Sequence, residues 1–80
     1  MLDPQLIRHA ARDAAAEVVG RSVADSQPIL SSGLIDSLSV LRLITGLETR
    51  IGIRIPVEQV QPDDFDSVDL MVETVLRVAP

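Results

Sequence analysis

Gly33-Leu34-Ile35-Asp36-Ser37-Leu38, with the run that continues it to Pro56 (GLIDSLSVLRLITGLETRIGIRIP, residues 33–56), decides how this chain is read. Leu41, Ile44, Leu47 and Ile51 recur at spacings of three and four, with Val40 and Leu43 flanking them, which predicts an amphipathic helix from Ser37 to about Ile51. Ser37 is expected as its N-cap. A serine at the junction of loop and helix is a favourable place for an esterified anion. First-turn N–H groups lack intrahelical partners, and the helix dipole adds partial positive charge there. Asp36 beside it offers a carboxylate to a metal ion that a modifying enzyme would hold at a diphosphate.

Toward the amino terminus, Asp3-Pro4 is a helix start, an Asp cap followed by proline where the missing N–H costs nothing. Ile7, Ala10, Ala11, Ala14 and Val18 make one stripe, so a first helix is expected to run to about Val19 and to end at Gly20. Met1 ahead of this start reads as a natural amino terminus. From Arg21 to Asp36, polar residues, Pro28 and Gly33 interleave with Ile29, Leu30, Leu34 and Ile35, which predicts a long loop pinned by buried aliphatics. Long loops in small domains usually carry function.

Toward the carboxyl terminus, Ile51 to Pro56 alternates as a strand would, but no partner strand is evident. An extended connector that buries Ile53 or Ile55 and closes at Pro56 is expected instead. Pro62-Asp63-Asp64-Phe65 predicts one short helical turn with Phe65 plugging the core. A last helix should start near Asp66-Ser67 and reach about Val78 on a stripe of Val68, Met71, Val75 and Val78, with Leu70 and Val72 beside it. Ser67 reads as a plain N-cap. Asp63, Asp64, Asp66 and Asp69 read as a solvated acidic helix start, because the glycine and terminal Glu of a calcium loop are missing. The expected fold is all-α: a four-helix bundle with three longer helices and one short one, in a single domain over residues 1–80.

Composition narrows the function. Eighty residues allow one core, and 46% hydrophobic content with a single aromatic suits aliphatic helix packing. A net charge of -5 argues against nucleic acid, whose phosphates need clustered cations. No apolar run approaches the roughly 20 residues that span a bilayer, and no signal peptide is evident. A soluble cytoplasmic monomer is expected. With no Cys and only His9, the chain is poorly equipped for nucleophilic chemistry of its own, and no metal site is expected. His9 reads as an exposed helix residue.

Residues 33–56 resemble the phosphopantetheine-attachment region of the acyl and peptidyl carrier protein family. The resemblance covers Leu34-Ile35 before Asp36-Ser37-Leu38, the helix spacing of Leu41, Ile44 and Leu47, Glu48 near the helix end, and Ile55-Pro56 closing the connector. Pro62 to Ser67 is similar to a segment common in stand-alone carrier proteins. The resemblance implies that Ser37 carries a 4'-phosphopantetheine arm installed from coenzyme A by a phosphopantetheinyl transferase, with Asp36 as the acidic neighbour. It also implies that the arm's thiol holds an acyl or aminoacyl group as a thioester, loaded by a ligase or acyltransferase and presented to downstream biosynthetic enzymes. The second helix, through Leu38, Val40, Leu41, Arg42 and Thr45, is expected to dock those partners. That role supplies the thiol the chain lacks, and the chain itself is then no enzyme.

Fatty-acid-synthase carriers usually present several acidic residues along the second helix, whereas here Ser39, Arg42, Thr45, Glu48, Thr49 and Arg50 are mixed. This departure favours a dedicated pathway, with polyketide, nonribosomal-peptide and amino-acid-derived cargo all open. The competing expectation is a small helical interaction domain in which Ser37 only caps a helix.

Overall fold

The computed structural model describes residues 2–79; Met1, expected at the amino terminus, lies outside them. Three α-helices build it: α1 (Pro4–Val19), α2 (Ser37–Ile51) and α3 (Val68–Val78). The punctuation of α1 is as expected. The Asp3 carboxylate accepts from the Gln5 N–H at 2.9 Å, Pro4 opens the helix, and Gly20, at φ 93°, donates its N–H to Ala16 O. At α3, Ser67 accepts from the Leu70 N–H at 3.2 Å, the plain cap expected of it.

The expected count of four helices is corrected. The short helical turn expected at Pro62–Phe65 is present, as a 3-10 turn, and a second one, Val57–Gln59, precedes it. Pro56 and Pro62 explain the interruption: neither can donate an N–H, and Val60 and Gln61 between the turns are extended, so neither turn propagates. Residues 53–56 carry no helix or strand, Pro56 is extended, and no strand forms among the described residues. Of the two isoleucines there, Ile55 is the buried one, and Glu48 accepts its N–H at 2.8 Å.

α1 packs against both α2 and α3. It does so through small residues, Ala10, Ala11, Ala14 and Ala15, around Ile7. Ala15 takes the buried place expected of Val18, which is only partly covered. Gly46 lies opposite on α2, where an added Cβ would stand 3.4 Å from Ala14 Cβ. Phe65 is fully buried and plugs the core, as expected, in one cluster with Met71, Val72 and Val75.

The core face of α2 is rotated from the expected one. Val40, Leu43, Ile44 and Leu47 are buried, whereas Leu41 is 59% exposed. The helix is apolar over so wide an arc that two stripes share Ile44 and Leu47, and periodicity alone does not choose between them. The rotation places Leu41 on the surface.

Candidate functional site

Residues 20–36 join α1 to α2 without a helix or strand and carry the chain to Ser37. Their path is held from within by Ile29 and Ile35, both buried. The Ile35 N–H donates to Ile29 O at 2.9 Å, which closes the segment two residues before Ser37. Gly33 makes the turn between them at φ 83°, in the left-handed region that favours glycine, with its N–H on Leu30 O.

Asp66 holds the same segment from outside. Its carboxylate accepts the N–H groups of Leu30 and Ser31 at 2.7 and 2.9 Å and the Ser31 hydroxyl at 2.7 Å, while its carbonyl accepts from Ile29 N–H at 2.7 Å. Burial raises the Asp66 pKa, but the donors from Ser31, Leu30 and Ile29 outweigh it and hold the carboxyl below its usual value. Earlier along the loop, Asp25 accepts from Arg8 and Arg12, and Arg8 also bonds Asp69 at 2.6 Å. The acidic run is therefore not the solvated helix start expected of it. Asp66 and Asp69 bind the loop and α1, and Asp64 accepts from Gln61 N–H and pairs with Arg77.

Asp36, not Ser37, caps α2. Its Oδ1 accepts from the Ser39 N–H and the Ser39 hydroxyl, both at 2.9 Å. These bonds, the backbone one foremost, hold its carboxyl below the usual range and keep it ionised. Ser37 is therefore the first helical residue. Its side chain is exposed, and its hydroxyl makes no hydrogen bond among the described residues. A capping serine would have its oxygen turned onto the helix; here the oxygen is left to solvent.

The five expected docking residues divide. Leu38 is 74% exposed, and Leu41, Arg42 and Thr45 are exposed on the same side of α2. Val40 is only 4% exposed and belongs to the core rather than to the exposed side of α2. The loop anchors Asp25, Ser31 and Asp66 were not foreseen. Asp66 acts on residues 35 and 36 positions away, beyond the reach of any local pattern. Among the described residues no group of three or more His, Cys, Asp or Glu is placed to hold a metal ion.

A family model described as "Phosphopantetheine attachment site" matches residues 9–75. The chain belongs to this carrier family. Its prosthetic group is covalently attached 4'-phosphopantetheine, and the exposed, unbonded Ser37 hydroxyl at a helix start is sterically and electrostatically suited to such a group. Similar curated proteins include the D-alanyl carrier proteins of Streptococcus thermophilus and Streptococcus sanguinis, each 35% identical over 52 residues, 65% of this carrier and 66% of the relative. That of Lactobacillus delbrueckii subsp. bulgaricus is 28% identical over 68 residues, 82% of this carrier and 85% of the relative. The carrier thus spans just under two thirds, 66%, of the first relatives it matches. No solved structure matches it. No helix of the described residues is long and apolar enough to cross a membrane.

Proposed function

We propose that Ser37 is the attachment residue and that the carrier holds an aminoacyl group on its arm for transfer between enzymes. The observation that supports this most is the division of labour at the start of α2. Asp36 satisfies the cap, so the Ser37 hydroxyl is exposed and uncommitted on the first helical turn. The bound group supplies a terminal thiol, which a chain without cysteine cannot supply. The residues around it position and expose the attachment point, and the protein itself catalyses no step.

The relatives named as D-alanyl carrier proteins favour an amino-acid cargo over a polyketide one. An amino acid needs activation before thioester formation, so the loading partner is an ATP-dependent ligase, and the partner that installs the arm is a phosphopantetheinyl transferase.

The test is intact mass after incubation with coenzyme A and a broad-specificity phosphopantetheinyl transferase. The wild-type chain gains one phosphopantetheine unit and Ser37→Ala gains none. An equal gain in Ser37→Ala would move the site elsewhere. Incubating the modified protein with ATP, D-alanine and a D-alanine-activating ligase then reads the cargo, an added alanyl mass being the expected result.

A further inference from the structure

We infer that Asp66 is a positioning residue for the modification of Ser37: through the bonds it accepts from Leu30 and Ser31 it holds the end of the loop, and with it the Ser37 hydroxyl, in the arrangement that a phosphopantetheinyl transferase binds. This rests on the reading of Ser37 as the attachment residue and names a distant residue on which its modification depends. In that reaction the Ser37 oxygen bonds to the phosphorus that carries pantetheine in coenzyme A. The P–O bond from that phosphorus to adenosine 3',5'-bisphosphate breaks, and the hydroxyl proton leaves to a base of the transferase.

Nothing in Ser37 itself sets where that hydroxyl stands. It is exposed and unbonded among the described residues, and residues 20–36, which deliver it, form no helix or strand. Between residues 28 and 35, every hydrogen bond among the described residues that leaves the segment ends on Asp66. The carboxylate takes those from the Leu30 N–H, the Ser31 N–H and the Ser31 hydroxyl, and the carbonyl takes the one from Ile29. From there the restraint passes along the loop. Gly33 donates to Leu30 O at 3.0 Å, Ile35 donates to Ile29 O, and the buried Ile35 precedes the Asp36 cap. Asp66 is a firm anchor, because Phe65 and Ser67 on either side of it are buried and its own N–H bonds Asp63 O at 3.2 Å. Ionised Asp36 secures the helix side of Ser37 through Ser39, and Asp66 secures the loop side.

Without the carboxylate one bond to Asp66 remains, and the end of the loop samples other arrangements. A transferase that binds only the competent one sees its apparent affinity for the carrier fall in proportion to that population. Once bound, the hydroxyl is in place and reacts at the ordinary rate. The signature is a raised KM for the carrier with kcat kept. A loss of global stability that leaves the chain folded does not produce it.

The experiment measures initial rates of phosphopantetheine transfer from saturating coenzyme A by a broad-specificity phosphopantetheinyl transferase, with the full chain as the varied substrate. Asp66→Ala should raise KM for the chain about tenfold with kcat within about twofold of wild type. Ser31→Ala, which gives up the hydroxyl bond alone, should raise KM about two- to threefold, and it decides the matter where Asp66→Ala fails to fold. Asp66→Asn keeps an oxygen for both N–H groups and offers an amide N–H to the Ser31 oxygen, so its KM should return to within about twofold of wild type. Ile55→Val and Ile55→Ala are the stability controls, cavities at a buried residue past the carboxyl end of α2 that bracket the Tm loss of Asp66→Ala. That end of α2 lies ~21 Å along the helix from Ser37, so both should keep the wild-type KM. The assignment is overturned by an unchanged KM in Asp66→Ala and Ser31→Ala, by a fall in kcat alone, by no recovery in Asp66→Asn, or by an equal rise in an Ile55 variant of matching Tm. Failure of the wild-type chain to take up phosphopantetheine overturns the carrier reading instead, because Asp66 governs how readily Ser37 is modified and not whether it is the site.

Discussion

At the residue scale, two neighbours share one helix start and do different work. The cap oxygen belongs to Asp36, and the free hydroxyl belongs to Ser37. Asp36 has two separable properties, an acceptor for Ser39 and a negative charge, and substitutions pull them apart. Asp36→Ala removes both and should lower Tm by roughly 4–8 °C, the shift expected of a lost cap in a domain of this size. Asp36→Asn keeps an acceptor and should melt within about 2 °C of wild type. If the carboxylate also helps the transferase hold a metal ion at coenzyme A, Asp36→Asn is modified about tenfold more slowly despite its normal fold. Equal modification rates for wild type and Asp36→Asn would confine Asp36 to capping.

At the scale of elements, the start of α2 is placed by a segment that Asp66, between the second 3-10 turn and α3, holds in position. Asp66 fixes Leu30 and Ser31, Ile29 accepts from Ile35, and Ile35 directly precedes the cap. Asp66→Ala leaves two backbone N–H groups without that acceptor and should cost about 1–3 kcal/mol. Ser31→Ala removes one hydroxyl bond and should cost under about 1 kcal/mol. Hydrogen exchange locates the damage: in Asp66→Ala the Leu30, Ser31 and Ile35 amides lose protection before those of α1, and uniform loss would mean that Asp66 supports the whole fold instead. This dependence also marks what the sequence could reveal. Helix ends were legible because Asp3, Pro4, Gly20 and Ser67 act on residues within one turn of themselves. The facing of α2 was not, since Leu38, Leu41, Leu43, Ile44 and Leu47 cover too much of its circumference. Ser37 stands out in the sequence, but Asp36 and Ser37 are both good capping types and only geometry separates them. The Asp66 clamp left no pattern, its partners lying half the chain away.

At the scale of the whole molecule, one charged cluster joins α1, the loop and α3: Arg8 and Arg12 on Asp25, and Arg8 on Asp69, with the Asp69 N–H on Asp25 O. The hydrogen bonds from Arg12, opposed by burial and aided by Arg8, lower the Asp25 pKa to about 2. An unfolded Asp titrates near ~3.9, so the folded state binds this proton less readily than the unfolded state. The cluster's contribution is fully present above that unfolded value and is lost as pH falls through the folded one. Asp36 and Asp66 are shifted in the same direction, so acid weakens every carboxylate that positions the start of α2. Both guanidiniums reach solvent, which screens the cluster and keeps its contribution modest and sensitive to salt. The expected melting profile is flat from about pH 7 to 5 and declines between about pH 4 and 2. Loop amides should lose protection before helix amides, because the segment is held by few bonds. Asp25→Asn, which cannot titrate, should start with a lower Tm at pH 7 and decline less steeply over the same window. A decline as steep in Asp25→Asn as in wild type would assign the acid sensitivity to Asp66 and Asp36, and the double comparison with Asp66→Asn would then identify which of the two holds the loop in acid.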